Sequence, residues 1–219
     1  MTDIYDLSDR ALELLCDADP MLATEVGVSG RDHRWPDLSP SGHDQRARLV
    51  DELHTQAGAI TTATPSEEVA KRVLLDDLAS QQLLHASGAH LRDLNNIAST
   101  FQGIKQTFDL MTKDTLDDWA RLLVRLETIA EPIDGYRASL ARGLGNDMAV
   151  AQRQVTAVIA EGELTARADT PLNDIVDAFD AAGIGDDGMR SRLVAAVDGA
   201  RTAYGELTEW LREDYLPQA

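Results

Sequence analysis

Four prolines in this chain each follow a residue whose side chain can cap a helix, and these pairs constrain the fold more than any other feature. A Ser, Thr or Asp at such a position accepts hydrogen bonds from the first free N–H groups of a helix. Proline at the next position lacks only an N–H that would have no partner there. Each pair therefore predicts a helix start. The pairs are Asp19-Pro20, Ser39-Pro40, Thr64-Pro65 and Thr170-Pro171.

Apolar residues recur at three- and four-residue steps between and beyond these starts, which places them on one face of a helix. Pro132 lies inside one such segment and is expected to kink or split it, because its ring collides with the preceding turn. Residues 95–111 have the least regular pattern and are predicted to hold a loop and a short helix. The other predicted helices span approximately residues 3–18, 21–26, 40–60, 65–91, 116–140, 148–166, 171–182 and 188–214.

The composition agrees with a helical chain. Alanine and leucine supply much of the apolar content, only ten residues are aromatic, and no segment alternates apolar and polar residues over the length of a strand. Strands prefer β-branched and aromatic residues, so this composition favours helices. We therefore predict an all-α fold, a single domain over residues 1–219, built as an antiparallel bundle of about seven to nine helices with short loops.

The charge of the chain limits its partners and its location. The sequence has 38 acidic and 20 basic residues, which give a net charge of −18. Such a chain repels nucleic-acid phosphates and anionic lipids, so neither nucleic acid nor a membrane is an expected partner. No stretch approaches the ~20 apolar residues of a membrane helix, and the acidic start MTDIYDLSD is unlike a secretory signal. The lone cysteine, Cys16, leaves no intrachain disulfide. We expect a cytoplasmic protein.

The residue types that usually carry catalysis or bind metals form no such pattern here. A zinc-protease helix needs two histidines four residues apart with Glu after the first, and none of the five histidines is followed by Glu. His85 and His90 are five residues apart, which on a continuous helix separates them by about 140°. No Gly-x-Ser-x-Gly motif is present, and the adjacent acidic pairs suit solvated helix faces and caps. We predict no catalytic residue, no metal ligand and no cofactor within this chain.

Two segments are candidates for contact with a substrate or a partner. The first is the loop around Arg34 and Trp35, where an isolated Trp beside basic residues either contacts a ligand or anchors the loop with Arg stacked on its ring. The second is the irregular segment 101–111, which we expect to form the wall of a cleft, because segments between rigid helices commonly carry function. The predicted contact residues are Arg34, Trp35, Phe101 and Gln102.

Two stretches of the sequence resemble the bacterial domain-of-unknown-function family 885 (DUF885). The first, DPMLATEVGVSGRDHRWPDLSP, has the arrangement with which that family opens, ending in a loop and a Ser-Pro before a long helix. The second, DDWARLLVRLETIAEPIDGYRASLARGLGNDMAVAQRQV, looks like the middle region of the family. The positions that carry the first resemblance are Pro20, Ala23, Thr24, Gly27, Asp37, Ser39 and Pro40.

The resemblance implies a relation to metallopeptidases. Full-length members of the family are longer, mostly helical and similar to zinc metallopeptidases. Their zinc helix, with a His-Glu start and a Pro-Gly-His end, lies beyond the region that resembles this chain. The resemblance therefore implies that zinc belongs only to a longer family member, and that no zinc ligand carries over to a residue here. It also implies that the chain corresponds to the N-terminal part of such a protein, or to a natural short version of it.

Two functional hypotheses follow from these observations. In the first, the chain is the helical N-terminal region of a zinc metallopeptidase-like hydrolase, contributes to substrate access and lacks the catalytic zinc motif. In the second, it is a non-enzymatic helical domain that binds a protein partner or associates with itself. The partner would be the C-terminal half of such a hydrolase or another copy of the chain, held through exposed apolar surface.

Overall fold

A computed structural model of the chain describes residues 3–219, and all regular secondary structure in that range is helical. The predicted all-α helical bundle is confirmed. The described range contains ten α-helices, above the predicted seven to nine, because the segment predicted over 116–140 forms two helices. They are α1 Ile4–Ala18, α2 Pro20–Glu25, α3 Pro40–Ala59, α4 Pro65–Ala86, α5 Thr100–Leu110, α6 Leu116–Glu127, α7 Ala130–Gly145, α8 Gln152–Thr165, α9 Asp174–Ala182 and α10 Asp187–Trp210.

The four cap-and-proline pairs begin helices where the sequence predicts them. The Asp19 carboxylate accepts the N–H groups of the second and third residues of α2, and the Ser39 hydroxyl caps α3. Thr64 and Glu67 form a reciprocal capping box at the start of α4. Thr170 caps a 3₁₀ turn, Pro171–Asn173, which leads directly into α9. Three further short segments are a 3₁₀ turn at Ala89–Leu91, a π-helical turn at Leu211–Tyr215, which follows α10, and a 3₁₀ turn at Leu216–Gln218.

Pro132 splits its segment, but the break lies upstream of it. Helix α6 ends at Glu127 and α7 begins at Ala130, so Thr128 and Ile129 separate the two helices. Thr128 is four residues before Pro132, which is where the proline ring collides with a carbonyl and where its missing N–H would have donated. The break therefore has the position that proline chemistry requires.

The helices enclose two hydrophobic cores. The larger core forms around α10, which packs against α6, α7, α8 and α9. The smaller core lies between α1, α3 and α4. Its buried members are Leu7, Ala11, Val50, Leu53, Ala57 and Leu78. Within residues 3–219 no helix is long and apolar enough to cross a membrane.

Helix α4 lies at the edge of the smaller core and shows apolar residues to solvent. Only Leu78 of its 22 residues is buried. Four of the apolar positions expected in its inward stripe are instead exposed and lie within about 100° of one another around the helix. We call these four residues the α4 apolar face. They are Val69, Val73, Leu83 and Leu84, with exposed fractions of 60%, 64%, 72% and 59%.

The long loop between α2 and α3 is fastened to the larger core by one arginine of α6. The Arg125 side chain is 0% exposed. Its Nε donates to the Arg34 carbonyl at 2.9 Å, one terminal nitrogen donates to the Thr24 hydroxyl at 2.8 Å, and the other donates to the Pro20 carbonyl at 2.9 Å. The Trp35 ring lies 5.0 Å from the guanidinium, and its indole N–H donates to the Arg125 carbonyl at 2.7 Å. Neutral acceptors therefore hold a buried cation.

Replacing Arg125 is predicted to destabilise the whole chain. The substitution Arg125→Gln leaves the Pro20 and Arg34 carbonyls without their donors in a site that excludes water. Breaking a buried charged network in this way costs about 3 kcal/mol or more. Urea denaturation followed by circular dichroism measures this loss in the free energy of unfolding.

Arg121→Gln on the same helix is the matched control. Arg121 is partly exposed and pairs with Asp118 three residues earlier, so its loss is expected to cost about 0.5 kcal/mol. Equal costs for the two substitutions would contradict the role given to Arg125.

Candidate functional site

The structure places Arg34 and Trp35 in the fastened loop, with different surroundings. Trp35 is partly buried, packs edge-on against Phe108 with ring centroids 5.7 Å apart, and lies under Arg125. Trp35 therefore anchors the loop, which was one of its two predicted roles. Arg34 is exposed and pairs with Asp17 at 3.2 Å. A contact with substrate or partner stays a prediction for Arg34.

Phe101 and Gln102 lie at the start of α5 and face the larger core. Phe101 is 0% exposed and packs edge-on against Tyr204, with centroids 5.2 Å apart. It has no free surface with which to touch a ligand in this structure. Gln102 is 5% exposed, and its amide donates to Glu161 at 2.8 Å while its oxygen completes a capping box with Ser99. Residues 92–99 form the predicted loop, and α5 is the predicted short helix.

A groove runs beside α5, and Gln102 contributes to its lining. Its volume is about 440 Å³. Helix α5 forms one side of the groove, and the segment from the Pro171–Asn173 turn into α9 forms the other. The apolar residues of the second side are Pro171, Leu172, Ile175 and Ala178. The expectation that residues 101–111 would form the wall of a cleft therefore agrees with a concave surface at that place.

An ion pair at the end of the groove fixes α5 to α8. Lys105 donates to the Glu161 carboxylate at 2.9 Å and to the Thr165 hydroxyl at 3.3 Å. Glu161 accepts from both Lys105 and Gln102, so its charge is satisfied by two donors on one helix. Lys113, further along, donates to two backbone carbonyls, and burial lowers its pKa. The ion pair and the Gln102 bond thus join α5 to α8 at this part of the groove.

Three histidines from separate elements meet next to the smaller core, which the sequence did not indicate. The His85 and His90 rings stack with centroids 4.8 Å apart and planes 5° apart, and His43 of α3 lies 4.5 Å from His90. The expected separation of His85 and His90 was wrong because α4 ends at Ala86. Gly88 then adopts a left-handed conformation, with φ 67°, and turns the chain back. In the sequence, Gly88 was the signal that the helix ends between the two histidines.

The turn that carries His90 is held against α7. Gly143 of α7 permits this approach, because a Cβ there would collide with the Leu91 carbonyl oxygen. The Tyr136 hydroxyl of the same helix donates to the Asp93 carbonyl at 2.6 Å, just after the turn. The histidine cluster, defined as His43, His85 and His90, therefore joins the smaller core to the larger one.

The histidine cluster does not have the arrangement of a metal site. A metal ion lies in the plane of each imidazole that binds it, whereas the His85 and His90 rings are stacked face to face. In addition, His85 donates to Asp44 at 3.2 Å, and His43 Nδ1 accepts from Arg46 at 3.0 Å. Across residues 3–219 no group of three His, Cys, Asp or Glu side chains is placed to hold a metal ion. The residues present thus do not fit zinc.

The surroundings of His43 and His90 favour neutral rings at these two members of the histidine cluster. Burial, together with the Arg46 cation and then the other two histidines, lowers the pKa of His43 to about 3. Burial, and next the neighbouring His85, also lowers the pKa of His90. Because Arg46 can only donate, His43 Nδ1 is the acceptor and the ring proton is on Nε2. His43 and His90 therefore offer N–H donors as neutral rings at neutral pH.

Comparison with known protein families gives one match that covers most of the chain. The family model described as "Bacterial protein of unknown function (DUF885)" matches residues 20–219. The match begins at the first residue of α2 and includes the second stretch on which the resemblance rests and all of the first except Asp19. No protein with a curated description matches the chain.

The neutral state of His43 predicts a measurable loss of stability in acid. The unfolded chain binds a proton at this side chain near the usual pKa of about 6.5, whereas the folded chain resists it down to about 3. In this window the unfolded state binds more protons, so the free energy of unfolding falls as the pH falls. Between pH 7 and pH 5 the free energy of unfolding should therefore fall less in His43→Gln than in the unsubstituted protein. We expect the difference to be about 1 kcal/mol, after allowance for the partial exposure of His43.

The measurement is urea denaturation of both proteins at the two pH values. His33→Gln, at an exposed histidine outside the cluster, serves as the control and should leave the pH dependence as it is in the unsubstituted protein. Identical pH dependence in the His43→Gln and unsubstituted proteins would show that His43 is not held neutral by the fold.

Proposed function

The chain belongs to the bacterial DUF885 family, and from that membership we propose that it is the helical, non-catalytic N-terminal part of a metallopeptidase-like hydrolase. In this proposal it forms one wall of the path by which a peptide reaches the reacting centre. The ion and its general base would come from residues of a longer polypeptide. The groove beside α5 is the observation that supports this role.

The groove has the properties that an extended peptide requires. Its volume of about 440 Å³ lies within the range of clefts that bind small ligands, about 300–1,000 Å³. Leu172, Ile175 and Ala178 supply apolar contact on one side, while Gln106 and Asp109 of α5 supply polar groups on the other. Apolar contact along a few side chains and polar partners for the backbone are the two elements of peptide recognition.

The rigid base of the groove supports positioning better than chemistry. The Lys105–Glu161 pair and the Gln102 bond to Glu161 hold α5 and α8 at a constant separation. A general acid or base must reach the substrate with a pKa suited to proton transfer. Glu161 is already bound by two donors, so in this proposal it positions the two helices and does not transfer a proton.

We predict that this chain binds unstructured peptides in the groove and does not hydrolyse them. The test is a titration of the 15N-labelled chain with a mixture of unstructured pentapeptides, followed by a hydrolysis assay of the same mixture with and without zinc. Backbone shifts confined to α5, α9 and the Pro171–Asn173 turn are the expected result. Gln106→Trp, which fills the groove, should weaken binding about tenfold or more by steric exclusion.

Gln56→Trp on α3 is the matched control, because Gln56 is an exposed helical glutamine outside the groove. It should leave peptide binding unchanged. Binding that is insensitive to Gln106→Trp would remove the groove from the proposal. Zinc-dependent hydrolysis by the 219-residue chain would show that the chain holds a catalytic centre.

A second candidate function, association with another copy of the chain, is favoured by the α4 apolar face. This face has four apolar side chains, each more than half exposed. The face consists of two exposed apolar pairs, Val69 with Val73 and Leu83 with Leu84, on one side of the helix. Clustered exposed apolar surface marks sites of protein association. The face is built on a regular helix with both ends capped or terminated within the fold, so it can pair with the same helix of a second copy without rearrangement.

Sedimentation equilibrium tests whether the chain dimerises through the α4 apolar face. The unsubstituted chain should show concentration-dependent dimerisation, and the double substitution Val73→Ser with Leu83→Ser should weaken it about tenfold or more, because the buried apolar area is lost. Leu110→Ser with Leu164→Ser, at two similarly exposed positions on α5 and α8, should leave dimerisation unchanged. A chain that stays monomeric at the highest soluble concentration would exclude this function.

A further inference from the structure

A second concave site lies beside the smaller core and shares no lining residue with the groove beside α5. It is a cavity of about 250 Å³ between α1, α2, α3, the last turns of α4 and the Ala89–Leu91 turn. The histidine cluster contributes all three of its members to the lining, together with Arg46 and Gln81. Its apolar lining is Leu15, Leu22, Ala47, Val50, Leu84 and Ala89. The cavity thus combines a hydrocarbon-lined volume with a small set of donors.

Arg46 supplies a partly buried cation without a carboxylate partner. Two of its donors go to neutral acceptors, the Asp37 carbonyl at 2.7 Å and His43 Nδ1 at 3.0 Å. Over residues 3–219 no carboxylate oxygen lies within 4.0 Å of its guanidinium nitrogens. A guanidinium carries five N–H donors and stays charged in proteins, so most of its donors can serve a ligand.

The histidines add donors that can bond to an anion. His43 keeps its proton on Nε2, because its other nitrogen accepts from Arg46. The His90 side chain takes part in no hydrogen bond to another residue of the described range, although it lies between the other two rings. Three imidazoles and one guanidinium therefore border the same cavity, and two of the imidazoles, His43 and His90, have a ring nitrogen that no residue of the described range occupies.

The acidic groups around the cavity are already engaged. Asp19, which is part of the lining, uses its carboxylate to accept the N–H groups of Met21 and Leu22 at the start of α2. Asp44 accepts from His85, and the Asp37 carboxylate accepts the Ser39 N–H at 2.9 Å. One oxygen of each of these carboxylates is thus engaged, and Arg46 is the cation that faces the cavity.

We propose that this cavity binds a small monocarboxylate with an apolar body. The carboxylate bonds to Arg46 and to the neighbouring imidazole N–H groups, and the hydrocarbon occupies the volume lined by Leu15, Val50 and Leu84. A planar guanidinium matches the geometry of a carboxylate. A single cation balances one negative charge, so a phosphate dianion is a poorer match. The same chemistry is found in a free branched-chain acid and in the C-terminal residue of a peptide.

The experiment compares each carboxylate with its neutral amide on the unsubstituted protein. The probes are 4-methylpentanoate against 4-methylpentanamide for the free acid, and acetyl-Ala-Leu against its C-terminal amide for the peptide, each titrated into 15N-labelled protein. We expect backbone shifts in α3 and the Ala89–Leu91 turn, and binding of the preferred carboxylate about tenfold or more tighter than of its amide. This comparison needs no variant, so it does not depend on how a substitution folds.

Two substitutions on α3 then test whether the charge that binds the carboxylate belongs to Arg46. Arg46→Gln should weaken carboxylate binding about 10- to 100-fold, because a charge-assisted hydrogen bond is lost, and should leave binding of the amide little changed. Arg48→Gln, at an exposed arginine two residues later, should have no effect on either. Equal binding of acid and amide, carboxylate binding unaffected by Arg46→Gln, or no binding of any probe would each overturn the proposal. Preference for the free acid or for the peptide decides between the two sources.

Discussion

The buried guanidinium of Arg125 is the interaction on which the arrangement of the N-terminal third depends. Its N–H groups donate to Pro20, Thr24 and Arg34, which lie more than 90 positions away in the chain. Burial lowers its pKa to about 10, so the group still carries its charge at neutral pH and needs every acceptor it has. Asp19 and Leu22 line the cavity between α1, α2 and α3, so the bonds from Arg125 to α2 also position that side of the cavity.

Two concave surfaces follow from the two hydrophobic cores. The groove beside α5 belongs to the larger core, and Lys105 and Glu161 in its lining form an ion pair. The cavity at the histidine cluster lies where the smaller core meets the larger one, and Arg46 there is held by neutral acceptors. Paired charges suit a rigid wall, whereas a cation bonded only to neutral groups suits recognition of an anion. The two surfaces therefore support different roles in one domain-sized chain.

Local chemistry made parts of the fold predictable. Caps and prolines act within four residues, so Thr64 with Glu67 and the break before Pro132 follow from sequence alone. The wrong separation of His85 and His90 also concerns local chemistry. Gly88 ends the helix between them, and a glycine at that position is visible in the sequence. Phe101 is different: an irregular pattern predicted a surface role, whereas the residue is fully buried against Tyr204. Periodicity identifies a helix face without saying which partner covers it.

The sequence by itself determined the all-α class, most helix starts and the family, because caps, prolines, apolar periods and motifs are properties of neighbouring residues. Only the tertiary structure decided that Arg125 would be buried under the α2–α3 loop, and that α4 would show an apolar face to solvent. It also decided that His43, His85 and His90 would meet beside Arg46. These outcomes depend on how separate helices pack, and packing joins residues whose distance along the chain carries no signal.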